Sequence, residues 1–241
     1  MLRIPTDEES RGILRKILER QAYRMLMLAN IRGHGIKYFT EVEDKLRMGE
    51  RMTLSLRLFQ EVQRLYAQVS DQDVVPVVRG RMERIPYPAS RMELAVCLFL
   101  CVRVERHALA AYVDSSVGDL AAIARTRLES LPDLELPADG AFVEFCSEQE
   151  NRPLAQQQFE RWLTISLLSL GRPSSAGAAR AVELGLRTAP TPAIVMGFLT
   201  KLGSFLGSCS LVVPAAETLG VELPEAWAGA ASLPPSGTAS K

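Results

Sequence analysis

The stretch MELAVCLFLCVRVERHALAAYV, residues 92–113, is nearly apolar on every side in its first half, with Glu93 its one charge there, and turns charged again from Arg103 onward. A segment with no polar face belongs in the middle of a core or in a membrane. Its unbroken apolar run, Leu94 to Val102, is about half of the roughly 20 residues needed to cross a bilayer. The stretch therefore reads as a buried central helix, and the rest of the chain must supply the faces that cover it.

Those faces are helical as well. Leu14, Leu18, Ala22, Met25, Ala29 and Ile36 recur at helical steps, which predicts a long helix from about residue 6 to Met48. Thr6 would cap it, Asp7, Glu8 and Glu9 suit the positive end of its dipole, Gly33 and Gly35 are points where it can kink, and Gly49 ends it. Leu54, Leu58, Val62, Leu65 and Val69 mark a second amphipathic helix that stops near Asp71 to Asp73. Pro76, Gly80, Pro86 and Pro88 predict a connecting loop over residues 74–90, with a short extended piece at Val74 to Val78. Beyond the central helix, the pattern predicts helices at Val117 to Leu131, Leu154 to Leu170, Ala176 to Leu186 and Ala193 to Leu206, with a break at Pro132 to Pro137. The expectation is an all-α helical bundle forming one domain over residues 1–227. Residues 228–241 contain little beyond Gly, Ala, Ser, Pro and Thr and read as a disordered tail.

Composition narrows the partners. With 28 basic and 28 acidic residues the formal charge is zero, so no field that draws a protein to nucleic acid is present, and no segment suits a membrane. Cys97, Cys101, Cys146 and Cys209 sit in apolar surroundings, without disulfide-framework or paired zinc spacing. A reduced, cytoplasmic setting follows. The start of the chain, Met1 to Glu9, has no basic-then-apolar signal pattern.

Helical bundles often carry di-iron sites announced by Glu-x-x-His pairs on inward faces. The two histidines of this chain are His34 and His107, and the residues three positions before them are Ile31 and Val104. Cys97, Cys101 and Glu105 share one helix face, with His107 close by, and could in principle hold zinc; small buried cysteines more often serve as core residues. His34, between two glycines, can be a retained ligand, a substrate contact or an interior histidine. Glu144, Glu148 and Glu150 read as a solvated face. No nucleophilic triad, phosphate loop or paired-carboxylate motif stands out.

Several segments resemble the phenylacetic-acid catabolic family, which includes the phenylacetyl-CoA epoxidase subunits and benzoyl-CoA epoxidase. Gly33-His34-Gly35-Ile36-Lys37-Tyr38-Phe39 followed by Glu41 to Leu46 is similar to its second core helix. Tyr87-Pro88 stands where the family has such a dipeptide before its third. Phe159 to Trp162, Ser169 to Pro173 and Val182 to Arg187 resemble the segments after its metal-binding helices. The resemblance spans about residues 20–224 and implies a ferritin-like bundle with additional C-terminal helices. In catalytic members two irons, held by carboxylates and two Glu-x-x-His pairs, activate oxygen to epoxidise an aromatic CoA thioester.

Carried onto this sequence, that pattern leaves His34 as the one matching ligand. Ile31 stands at the glutamate position, Arg103 falls at or near the third-helix carboxylate with Glu105 two residues away, and Arg127 and Ser130 take the last Glu and His positions. An arginine brings its own positive charge and cannot coordinate a cation. The resemblance thus implies a vestigial or altered core site of His34, Arg103, Glu105 and Arg127 with no iron or other cofactor; in one reading Arg103 or Arg127 pairs with a residual acid such as Glu41, Glu61 or Glu105, and in the other these arginines point to solvent. The expected function is that of a non-catalytic relative of the structural subunit of phenylacetyl-CoA epoxidase, acting as a homo-oligomer or beside a related ferritin-like subunit. One alternative is an iron-dependent oxygenase or hydroxylase built on His34 with Glu41, Glu61 and Glu105; another is a metal-free binder of an acyl-CoA-type molecule.

Overall fold

The first helix begins one residue later than Thr6 suggests, because the Asp7 carboxylate accepts the Ser10 amide at 2.8 Å and so satisfies a free donor of the first turn. The computed structural model describes residues 4–131 and 136–228, and among them there is no strand. The first helix, α1 (Glu8–Gly35), is followed by a 3-10 turn at Ile36–Tyr38 and then by α2 (Val42–Tyr66). The single helix expected up to Met48 is therefore two helices with a reversal between them.

The break has a local cause. A Cβ added at Gly35 would lie 2.6 Å from Leu94 Cδ2, so α1 meets the central helix more closely than any side chain permits. Just beyond, the Tyr38 hydroxyl donates to the Pro88 carbonyl at 2.6 Å, and His34 stacks on Tyr87 with ring centres 4.5 Å apart. The chain is held there and turns, and α2 packs back along α1, where buried Arg32 donates to Ser55 Oγ at 2.9 Å. Gly49, expected to end a helix, lies inside α2 with open space where its Cβ would be, so it lowers helix propensity without interrupting the turn-to-turn bonds.

The expected loop over residues 74–90 is also corrected. Residues Val74–Met82 form a helix, α3, capped by Asp73, whose carboxylate accepts the Val75 amide at 3.1 Å. Pro76 falls in the first turn, where amides have no intrahelical partner, so its missing N–H costs nothing there. Residues with breaker chemistry were placed where a helix tolerates them.

The central stretch is α4 (Arg91–Ala110). Ser90 Oγ accepts the Glu93 amide at 3.0 Å and the Glu93 carboxylate accepts the Ala89 amide at 2.8 Å, a reciprocal cap. The other Glu93 oxygen accepts from Trp162 Nε1 at 3.0 Å and Arg161 at 3.1 Å, tying the start of α4 to α7 (Arg152–Leu170). Every residue from Leu94 to Val102 is buried, none more than 7% exposed. Burying one large apolar side chain is worth about 1.5–3 kcal/mol, so this run anchors the core. Against α4 pack α1, α5 (Gly118–Ser130), α6 (Leu136–Ser147), α7 and α9 (Thr191–Cys209). Helix α6 was not anticipated; Phe142 and Cys146, one turn apart, are its buried residues, and Phe142 packs on Phe99 and Phe205.

The remaining elements are α8 (Ala176–Glu183), α10 (Ala216–Leu219) and α11 (Glu225–Ala228). Residue 228, placed at the start of the expected tail, closes α11; the rest of that tail, and residues 132–135 of the expected Pro132 to Pro137 break, lie outside the described residues. No described helix is long and apolar enough to cross a membrane.

Two glycine substitutions should separate close packing from helix propensity. Gly35→Ala forces Leu94 to move inside the core and should lower stability by about 1–3 kcal/mol. Gly49→Ala fills open space and should raise it by about 0.5–1 kcal/mol. Urea unfolding of both variants measures the pair, and equal effects would contradict this account of the α1–α4 contact.

Candidate functional site

The inner face of α5 is built by Leu120, Ile123 and Ala124, and the next step of that stripe brings Arg127 into the core. Across from it, α4 carries Glu105, the last buried acid of the central helix. Arg127 Nε donates to Glu105 Oε1 at 3.1 Å and a terminal nitrogen donates to Oε2 at 2.8 Å. The side chains are 2% and 1% exposed, so both charges are out of water. This two-pronged geometry engages both carboxylate oxygens and is the arrangement that best offsets the desolvation of such a pair.

A second guanidinium lies nearby on α1. Arg24 is fully buried and donates to the Ser169 carbonyl at 2.8 Å, across to α7. Burial pushes Arg24 below the usual guanidinium value, while the fields of Tyr112 and Glu105 pull the other way. Glu105 thus faces positive charge from α5 and α1 together. Sequence reasoning missed Arg24, Arg32 and Arg187, all buried. A signal existed for two of them: Arg24, Leu28, Arg32 and Gly35 follow one another at helical steps along the α1 face toward the core.

The other expected site residues do not join this pair. Gly35 touches Leu94, whereas Glu105 lies eleven residues further along α4, which separates them by roughly 16 Å. His34 accordingly sits at the opening end of α4, half-buried between Tyr87 and Tyr38. Arg103 is a correction: its guanidinium stacks over Phe99 at 3.7 Å and donates to the Phe99 carbonyl at 3.1 Å, one turn back on its own helix. Position 103 leans towards α9, where Phe205 also meets it, because it points off the α4 face that carries Glu105. Glu41 is exposed at the start of α2, and Glu61 pairs with Arg64 at 2.8 Å on the surface of α2. Neither reaches the core. Ser130 turns back on α5 and donates to the Arg127 carbonyl at 2.7 Å.

The di-iron centre implied by the resemblance asks for several anionic oxygens and two imidazoles around one space. Here Ile31 is buried and apolar, both Glu105 oxygens are engaged by Arg127, and His34 is packed between tyrosines at a distance. These residues do not fit such a centre. Among the described residues no group of three or more His, Cys, Asp or Glu side chains is placed to hold a metal ion. Cys97 and Cys101 are buried and outside any disulfide, the second 3.4 Å from Ser166 Oγ. Glu144, Glu148 and Glu150 are exposed.

No family model and no curated protein sequence matches this chain.

His107, half-buried near the end of α4, meets the edge of Phe198 at 6.0 Å. Burial, with Lys201 and Arg106 acting in the same sense, holds its imidazole below the ordinary value of 6.5. A histidine depressed in the folded state binds its proton more readily when unfolded, so its contribution is complete above pH 6.5 and is lost as pH falls below it. Unfolding free energies between about pH 7.5 and pH 5.5 should therefore fall more steeply for the natural chain than for His107→Gln. Parallel curves would contradict the assignment.

Proposed function

We propose that this chain is a ferritin-like helical protein of the kind represented by the structural subunit of phenylacetyl-CoA epoxidase, without a di-iron centre and without oxygen chemistry of its own. The observation that carries the reading is the Glu105–Arg127 pair. The one buried acid on the core face of α4 near the expected ligand position is committed to an arginine through both oxygens. A cation at that place would have to displace a guanidinium whose charge already neutralises the carboxylate. The bundle is closed electrostatically where catalytic relatives close it through metal.

On this reading the chain works by association with a second copy of itself or with a related helical subunit, or by holding an acyl group in a pocket of the bundle. Val42 and Leu46, one turn apart on α2, are 63% and 61% exposed, and such a pair supports contact through a helix face. Four buried cysteines outside any disulfide support a reducing, cytoplasmic setting.

Protein produced with added iron and then dialysed should contain iron far below one atom per chain and consume no oxygen with aryl-CoA esters and a reductant. Two tightly held irons per chain, removed by His34→Ala, would overturn the proposal in favour of an oxygenase with an altered site.

A further inference from the structure

On the side of the bundle where α1, the end of α3 and α7 meet, a cleft of about 520 Å³ opens to solvent. Four arginines line it, Arg20, Arg81, Arg84 and Arg172, and no acid does. In a chain whose formal charge is zero, such a concentration is a local excess that the composition does not predict. Arg81 shares Glu19 at 3.5 Å, and Glu19 also accepts from the Tyr66 hydroxyl at 3.3 Å. Arg20, Arg84 and Arg172 have no carboxylate partner among the described residues. Three guanidiniums without a carboxylate at ion-pair distance among the described residues therefore line one space.

Arg20 is seated in a built notch. Helix α7 ends on Gly171 at φ +86°, a conformation that favours glycine, and a Cβ there would lie 2.7 Å from the Arg20 guanidinium carbon. The turn that ends α7 is thus also the surface on which Arg20 rests. Half-buried, Arg20 is held below the usual guanidinium value chiefly by its burial; Tyr112 pulls the other way, the neighbouring Arg187 and Arg81 add to the lowering, and Glu19 opposes it least. An anion in the cleft would relieve that repulsion. The Ser175 hydroxyl at the rim can donate to such a group, whereas the Ser169 hydroxyl is already spent on the Ser166 carbonyl at 2.6 Å.

Apolar side chains, Ile85, Ile165 and Leu168, form a further wall of the cleft, the last 61% exposed. Inorganic anions would leave that wall wet. The geometry points to a binding site for a small organic phosphate or diphosphate, its phosphoryl oxygens held by Arg20, Arg84 and Arg172 and a short apolar group laid on Ile165 and Leu168. Arginine suits this task because its planar donors meet phosphoryl oxygens in pairs. The inference does not depend on the metal-free reading of the core, since none of its residues belongs to the Glu105–Arg127 pair.

The test is titration of the full chain at low ionic strength with inorganic pyrophosphate and with isopentenyl diphosphate, read by calorimetry and by thermal unfolding. Both should raise the unfolding midpoint, the alkyl diphosphate binding more tightly, while chloride at matched ionic strength should not. Arg84→Ser with Arg172→Ser, two exposed positions whose loss leaves packing intact, should weaken binding at least about tenfold with the unliganded midpoint unchanged. Arg20→Gln, checked for its fold by circular dichroism, should weaken it further. No binding of either diphosphate, or equal binding by the doubly substituted chain, would overturn the proposal; a chloride effect as large as that of pyrophosphate would reduce it to general screening and overturn it equally.

Discussion

Two opposite charges sealed between α4 and α5 constrain everything around them. Taking an arginine and a glutamate out of water costs several kcal/mol per ion, and only a mutual geometry that uses both carboxylate oxygens offsets that cost. Glu105 and Arg127 have such a geometry, and they can keep it only if α4 and α5 hold one axial register. An apolar seam tolerates small slips between helices; a two-pronged ion pair does not. The pair therefore selects one packing of the bundle more than it adds to its stability, while Arg24 of α1, bonded to the Ser169 carbonyl, ties α1 to α7.

The two ends of α4 are handled differently, and the contrast places the chemistry. At its start Glu93 is shared among the Ala89 amide, Trp162 and Arg161, which pins α7 to the entry of the central helix. His34 closes that end, stacked on Tyr87 and edge-on to Tyr38. The far end holds the buried charges. A site that needed an imidazole and a glutamate together would have to span the apolar run between them, and every residue of that run is buried.

Periodicity read the central helix and most of its neighbours well, because an apolar run buried on all sides has few other ways to fold. It failed where a single local contact decides. The reversal after Gly35 depends on Leu94, sixty residues away, and the helix at Val74–Met82 depends on where its proline falls relative to the Asp73 cap. Neither fact is visible from spacing alone. At the candidate site, the sequence allowed Arg103 or Arg127 to pair with Glu41, Glu61 or Glu105 or to point to solvent, and the choice of Arg127 with Glu105 required knowing which way each helix faces. The arginine-lined cleft was beyond reach altogether, since Arg20, Arg84 and Arg172 come from three separate parts of the chain and acquire a common meaning only when the fold gathers them.

The most direct test of the central claim is a double-mutant cycle on the buried pair, with Glu105→Leu, Arg127→Met and the two together, each measured by chemical unfolding. The account predicts that each single change costs about 3–5 kcal/mol, by stranding the other charge, and that the double variant recovers most of the loss, so that the effects are strongly non-additive. Additive single effects would mean that the two side chains are independent in the folded protein, and the ion pair could not be what sets the register of the bundle.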